Sequence, residues 1–203
     1  MIGNRTVFGV TLVVGFLAVA LAVFALWQMN TNAQVSVSVP LSDEQRAEMK
    51  ANAERLIENN HEVVRLYYLV GLDTKPEPYG NLPEDGIYIV DSEKYKTIAD
   101  IDEIVDTTFV PSEADRIKNN PFGDSQPLYR ERGGELGIGE EFAQKRNTNY
   151  QLSWEGLSYE LFPETESEAA LKVTLSIDGE PVSLDTTMVK QDGRWLLTKI
   201  IYQ

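Results

Sequence analysis

Cysteine is absent from the 203 residues, and histidine occurs once, at His61. The first absence excludes disulfide staples, a thiol nucleophile, cysteine-ligated zinc and attachment through a lipidated cysteine. The second leaves an imidazole metal site without a second histidine ligand. Acidic residues are missing from the first 27 positions, although the whole chain holds 32 of them against 18 basic ones. Of the basic residues only Arg5 precedes Trp27, so the rest of the chain carries 17 basic against 32 acidic side chains and repels phosphate backbones. The longest basic cluster, Arg130-Glu131-Arg132, is interrupted by an acid, and nucleic-acid binding is excluded.

What is present begins with an apolar run. Residues 7–27 hold no charge over 21 positions, and at about 1.5 Å per residue they span roughly 30 Å of hydrocarbon. Arg5 and the amino terminus precede the run, and no Lys or Arg follows it until Arg46, an asymmetry that places the N-terminus in the cytoplasm. The expected organisation is a cytoplasmic N-terminus (1–6), a transmembrane anchor (7–27), a linker (28–41) and one extracytoplasmic domain (42–203), whose length suits a single core. A cleaved signal peptide is the competing reading. Its apolar core is usually only about 7 to 15 residues, and the best cleavage candidate here, Thr31-Asn32-Ala33, is poor.

Within the domain, Ser42 and Gln45 form a capping-box pattern that opens a long helix running to Val70 and closed by Gly71. Its first half is charged and weakly apolar; Ile57, Val64 and Tyr68 in the second half predict the part that packs on a core. Residues 72–86 contain three prolines and two glycines and read as a long loop. A short strand at 87–90 follows. Thr97 with Asp100, and Ser112 with Asp115, predict two further helix starts, the last helix ending near Asn119. From Leu128 onward the period changes to two, and Gly133-Gly134, Asp178-Gly179 and Asp192-Gly193 mark hairpin turns. Helices followed by a strand meander predict an α+β fold, with the helices on one face of a curved antiparallel sheet.

Chemistry-bearing patterns are sparse. His61 falls between Ile57 and Val64 on the apolar stripe and reads as a boundary or core residue. Asp100, Asp102, Glu103 and Asp106 read as a solvated acidic helix face, since helical carboxylates do not curl around a cation as a ligand loop does. The glycine-rich run 133–142 lacks the lysine and hydroxyl of a phosphate loop and reads as a turn. Neither a Ser-x-x-Lys nor a Gly-x-Ser-x-Gly sequence is present, which disfavours a serine hydrolase. Trp154, Tyr159 and Trp195 lie in alternating strand patterns and read as core. No catalytic residue, metal ligand or cofactor is expected.

One ordered set of segments covers about residues 50–203: YKTIADI from Tyr95, a helix reaching Phe109, Glu113-Ala114, PLYRE from Pro127, WEGLSY from Trp154 and KQDGRW from Lys190. In this order the chain resembles the IseA-type inhibitors of D,L-endopeptidases, within the broader NTF2-like or cystatin-like group of exported Firmicute domains. The resemblance implies a non-enzymatic envelope protein that docks on the catalytic cleft of a peptidoglycan hydrolase of the NlpC/P60 class. The chain departs from the pattern in its membrane anchor and in the proline-rich insertion around Tyr79. Extended loops on a rigid scaffold can enter a concave site, so the expected contacts are Pro78, Tyr79 and Asn81 in the first loop, with Phe122, Asp124 and Gln126 in residues 121–127. Two alternatives stand beside this: an NTF2-like small-molecule-binding or enzymatic domain, and a structural module of a membrane complex.

Overall fold

The computed structural model describes residues 40–76, 83–123, 126–142 and 152–202. The chain divides into two units, 1–37 and 38–203, and every described residue belongs to the second. The expected anchor at 7–27 therefore lies outside the described residues. Among those described, no helix is long and apolar enough to cross a membrane.

Helix α1 (Asp43–Val64) starts where the capping box requires. The Ser42 amide donates to Gln45 Oε1 at 2.8 Å, and the Gln45 amide donates back to Ser42 Oγ at 3.2 Å, so two otherwise orphaned amides are satisfied. Its buried stripe, Met49, Ala53, Leu56, Ile57, Asn60, Val63 and Val64, begins in the first half, earlier than the charge pattern suggests. The charged residues of that half occupy the opposite face and its flanks. Over Arg65–Leu69 the helix widens into a π-turn, with the Val70 and Gly71 amides both donating to the Arg65 carbonyl. The widening accompanies burial of Leu66, Tyr67 and Tyr68 in succession, a span of about 200° around a regular helix.

Helix α2 (Ile98–Asp106) is capped by Thr97 and Asp100 as their spacing predicts. Helix α3 (Pro111–Asn119) corrects the Ser112 expectation: Val110 is the N-cap and Pro111 opens the helix. Proline, with no amide hydrogen and a pre-set φ, suits the first turn better than serine suits the cap one residue later.

The strands form two antiparallel sheets rather than the single sheet expected. β1 (Ile87–Ile89), β2 (Tyr129–Arg132) and β3 (Glu135–Gly139) make one in the order β1-β3-β2; the Gly133-Gly134 turn joins β2 to β3, with Arg132 opposite Glu135. β4 (Leu152–Thr165), β5 (Glu168–Ile177), β6 (Glu180–Gln191) and β7 (Arg194–Leu197) form a four-stranded meander. Asp178 and Asp192 have φ of 51° and 50°, each followed by a glycine with positive φ, the conformation that two-residue hairpin turns demand.

The inner face of the meander is filled. Ala169, Leu171, Val173, Leu175, Met188, Trp195 and Leu197 join Leu56, Ile57 and Val63 of α1 in one core. Arg55 ties helix to sheet by donating to the carbonyls of Trp195 (3.2 Å) and Thr107 (3.4 Å). The two outer edges differ. β7 is covered by the segment leaving α2, where the Leu197 amide donates to the Thr108 carbonyl and the Val110 amide to the Leu197 carbonyl. β4 pairs with β5 alone among the described residues.

Candidate functional site

The loops expected to make contacts are only partly described. Pro78, Tyr79, Asn81 and Asp124 lie outside the described residues. Gln126 is exposed. Phe122 is half-buried, edge-on to Tyr68 with ring centroids 5.9 Å apart, and Tyr68 stacks on Tyr202 at 4.8 Å. Arg116 donates to the Tyr68 hydroxyl at 3.5 Å and is itself held by Glu113. The root of this loop thus rests on an aromatic stack tied to α3.

A longer surface feature follows the open edge of the meander. Trp154 and Tyr159 are five residues apart, an odd spacing that puts two side chains on opposite faces of a regular strand. Here both reach α1, because β4 advances five residues between Ser153 and Ser158 while β5 advances two. Gly156, with φ +73°, stands inside this bulge. The bulge, together with α1, creates a groove of about 270 Å³ walled by Ile57, His61, Trp154, Leu157 and Tyr159. Glu54 and Tyr159 connect it to a second depression of about 470 Å³ beside Arg46, Lys50, Leu161 and Pro163.

The groove corrects two sequence expectations. His61 is exposed and lies flat on Trp154, with ring centroids 4.6 Å apart and an interplanar angle of 25°. Trp154 and Tyr159 are half-buried walls, and only Trp195 of the three aromatics is fully core. The signal that separates them is Gly156 breaking the alternation from Leu152 and Trp154 to Leu157, Tyr159 and Leu161.

The electrostatics of the groove are local. The Tyr159 hydroxyl donates to Glu54 Oε1 at 2.8 Å; the accompanying desolvation and this bond to a carboxylate push its pKa up to about 12. Desolvation against Trp154 lowers the His61 pKa, only partly opposed by Glu62 and Glu58. Trp154 Nε1 is buried with no hydrogen-bond partner among the described residues, a donor whose isolation costs on the order of 1–3 kcal/mol. Further along α1, Glu48 accepts from both Lys190 (2.6 Å) and Trp195 Nε1 (3.1 Å), and these bonds lower its pKa.

The acidic stretch of α2 serves separate structural purposes. Asp100 accepts from the Lys96 and Thr97 amides at the helix cap, and Asp106 is held by Lys118. No group of three or more His, Asp or Glu side chains among the described residues is placed to hold a metal ion. Comparison with protein-family models and with curated proteins found no match.

Proposed function

We propose that residues 42–203 form an extracytoplasmic binding module, tethered by the N-terminal apolar run, that restrains a peptidoglycan D,L-endopeptidase of the NlpC/P60 class. Its α+β architecture would be a variant of the NTF2-like or cystatin-like arrangement. The reading starts from the ordered set of segments beginning at Tyr95, whose aromatic members occupy key packing positions. Tyr95 donates to Glu62 (2.7 Å), Tyr129 to the Leu66 carbonyl (2.9 Å), and Trp195 to Glu48 (3.1 Å).

The observation that carries the docking role is the contrast between the two sides of the meander's first strand. Toward the core, the inner side chains of the meander named above, Ala169 to Leu197, are at most 2% exposed and pack in one cluster with α1. Toward the outside, the α1–β4 groove presents half-exposed apolar side chains beside an edge without a neighbouring strand among the described residues. A rigid, filled scaffold with an apolar groove at its rim suits a protein partner, because little conformational entropy is lost when it docks. In this reading residues 121–127, based on the Tyr68 stack, enter the partner's cleft while the groove takes its rim.

The test is inhibition by the full-length chain in detergent micelles of an NlpC/P60 endopeptidase hydrolysing purified peptidoglycan. Micromolar chain is expected to slow turnover, and Leu157→Glu in the groove to weaken the inhibition at least tenfold without loss of fold. Undiminished turnover across the endopeptidases of the same cell would refute the proposal.

A further inference from the structure

A third concavity, of about 430 Å³, lies where α2, α3 and β2 meet the π-turn that ends α1, and no residue of the α1–β4 groove lines it. Its base holds Tyr67, a side chain only 1% exposed. The ring packs edge-on against Tyr129 at 5.2 Å. The two phenols differ in one respect. Tyr129 donates to the Leu66 carbonyl, whereas the Tyr67 hydroxyl makes no hydrogen bond among the described residues. The ring is buried while the hydroxyl, with no partner among the described residues, is open to the concavity, where a polar group delivered from outside can meet it. Burial, with Tyr129, Asp102 and Asp106 nearby, holds this phenol well above the ordinary tyrosine range, so it is a neutral donor and acceptor at physiological pH.

The charges around the concavity are unevenly satisfied. Both its cations have a carboxylate partner: Lys118 reaches the two Asp106 oxygens at 2.7 and 3.0 Å, and Arg130 reaches Glu141 at 2.6 Å, although the Arg130 Nε is buried without a partner among the described residues. Its three carboxylates, Asp102, Asp115 and Glu131, form neither an ion pair nor a side-chain hydrogen bond among the described residues. They are graded by depth, with Asp115 and Glu131 exposed and Asp102 half-buried above the buried Tyr67. Desolvation raises the Asp102 pKa, opposed by Lys118 and reinforced by Asp106, and a cation placed there would reverse that shift. Ile98, Pro127 and the Tyr129 ring add apolar wall. A hard metal ion would need about six to eight oxygen ligands, and two carboxylates at the mouth with one deeper do not enclose it.

We infer that this concavity binds a small organic cation, an alkyl ammonium compound whose charged group pairs with Asp102 while a second polar group reaches the Tyr67 hydroxyl. The exposed carboxylates draw the cation in, and the apolar wall takes the methylene chain. The inference is independent of the proposed endopeptidase and stands or falls separately from it.

Titration calorimetry of the full-length chain in detergent with 1,5-diaminopentane tests it, with 1,5-pentanediol as the neutral counterpart. The diamine is expected to bind and the diol to show no heat. Asp102→Asn should weaken the diamine at least tenfold, the loss typical of a charge-assisted bond. Tyr67→Phe should weaken it several-fold while leaving the thermal midpoint of the ligand-free protein unchanged or higher. Equal binding of the diol, absence of diamine binding, or full-strength binding to both variants would overturn the assignment. Circular dichroism of each variant separates loss of the site from loss of the fold.

Discussion

Asn60 and Ile201 exchange two hydrogen bonds across 141 positions of sequence: the Asn60 amide donates to the Ile201 carbonyl at 3.1 Å, and the Ile201 amide donates to Asn60 Oδ1 at 2.8 Å. Asn60 is fully buried on α1, so the side chain acts as a strand substitute that ties the end of the domain to its longest helix. Glu113 adds a third tie by accepting from the Ile200 amide at 2.9 Å.

Asn60→Leu would keep the volume and strip both partners from Ile201. Each stranded backbone group costs on the order of 1–3 kcal/mol, so a loss of about 2–6 kcal/mol is expected for the two. Urea unfolding followed by tryptophan fluorescence measures it, and an unchanged midpoint would mean that water replaces Asn60.

Gly71 ends the π-turn with φ +74°, and a Cβ there would lie 2.5 Å from Phe142 Cε1. Both the left-handed backbone and the aromatic ring oppose a side chain. Gly71→Ala is expected to destabilise by about 1–3 kcal/mol from the backbone alone, and adding Phe142→Leu should recover the steric part. A double-mutant cycle in thermal unfolding reads the coupling.

Glu62 is the hub of a charged cluster, accepting from Arg65 (2.8 Å), Lys94 (3.1 Å) and the Tyr95 hydroxyl (2.7 Å). These bonds, the one from Arg65 foremost, outweigh its desolvation and lower its pKa from 4.5 to about 2. The unfolded carboxyl takes up its proton first on acidification. The stabilisation is therefore complete above the ordinary value and is lost as pH falls from 4.5 toward about 2. Stability measured across that window should fall less steeply in Glu62→Gln, which starts from a lower plateau at neutral pH. Identical slopes for the two proteins would show that the cluster does not select the charged carboxylate.

His61 stacks on Trp154, and burial lowers its pKa from 6.5. The neutral imidazole is thus favoured by the fold, and its contribution declines as pH drops below 6.5 toward the folded value. Protonated imidazole should quench Trp154, giving a fluorescence titration with a midpoint below 6.5 that vanishes in His61→Gln. A midpoint at or above the ordinary value would contradict the observed stack.

The features legible in the sequence are those settled within a few residues. Ser42 with Gln45 and Thr97 with Asp100 cap their helices, and Gly133-Gly134, Asp178-Gly179 and Asp192-Gly193 turn their hairpins, because a cap or a tight turn involves only near neighbours. Position-by-position competition already blurs this at Val110 and Pro111, where proline displaces the serine cap. Long-range choices were not legible. The pairing of β1 with β3, which divides the strands into two sheets, and the seating of Leu197 beside Phe109 join segments about 50 or more residues apart. Local pattern cannot choose among such partners. The same holds for the sites: the β4 bulge turns Trp154 and Tyr159 to one side, and the π-turn brings Tyr67 under Asp102. Composition alone determined an acidic, cysteine-free chain with one apolar run, since charge and hydropathy need no fold to be read. Only tertiary packing decided which polar groups were left without partners, because satisfaction of a hydrogen bond depends on what the rest of the chain brings to it.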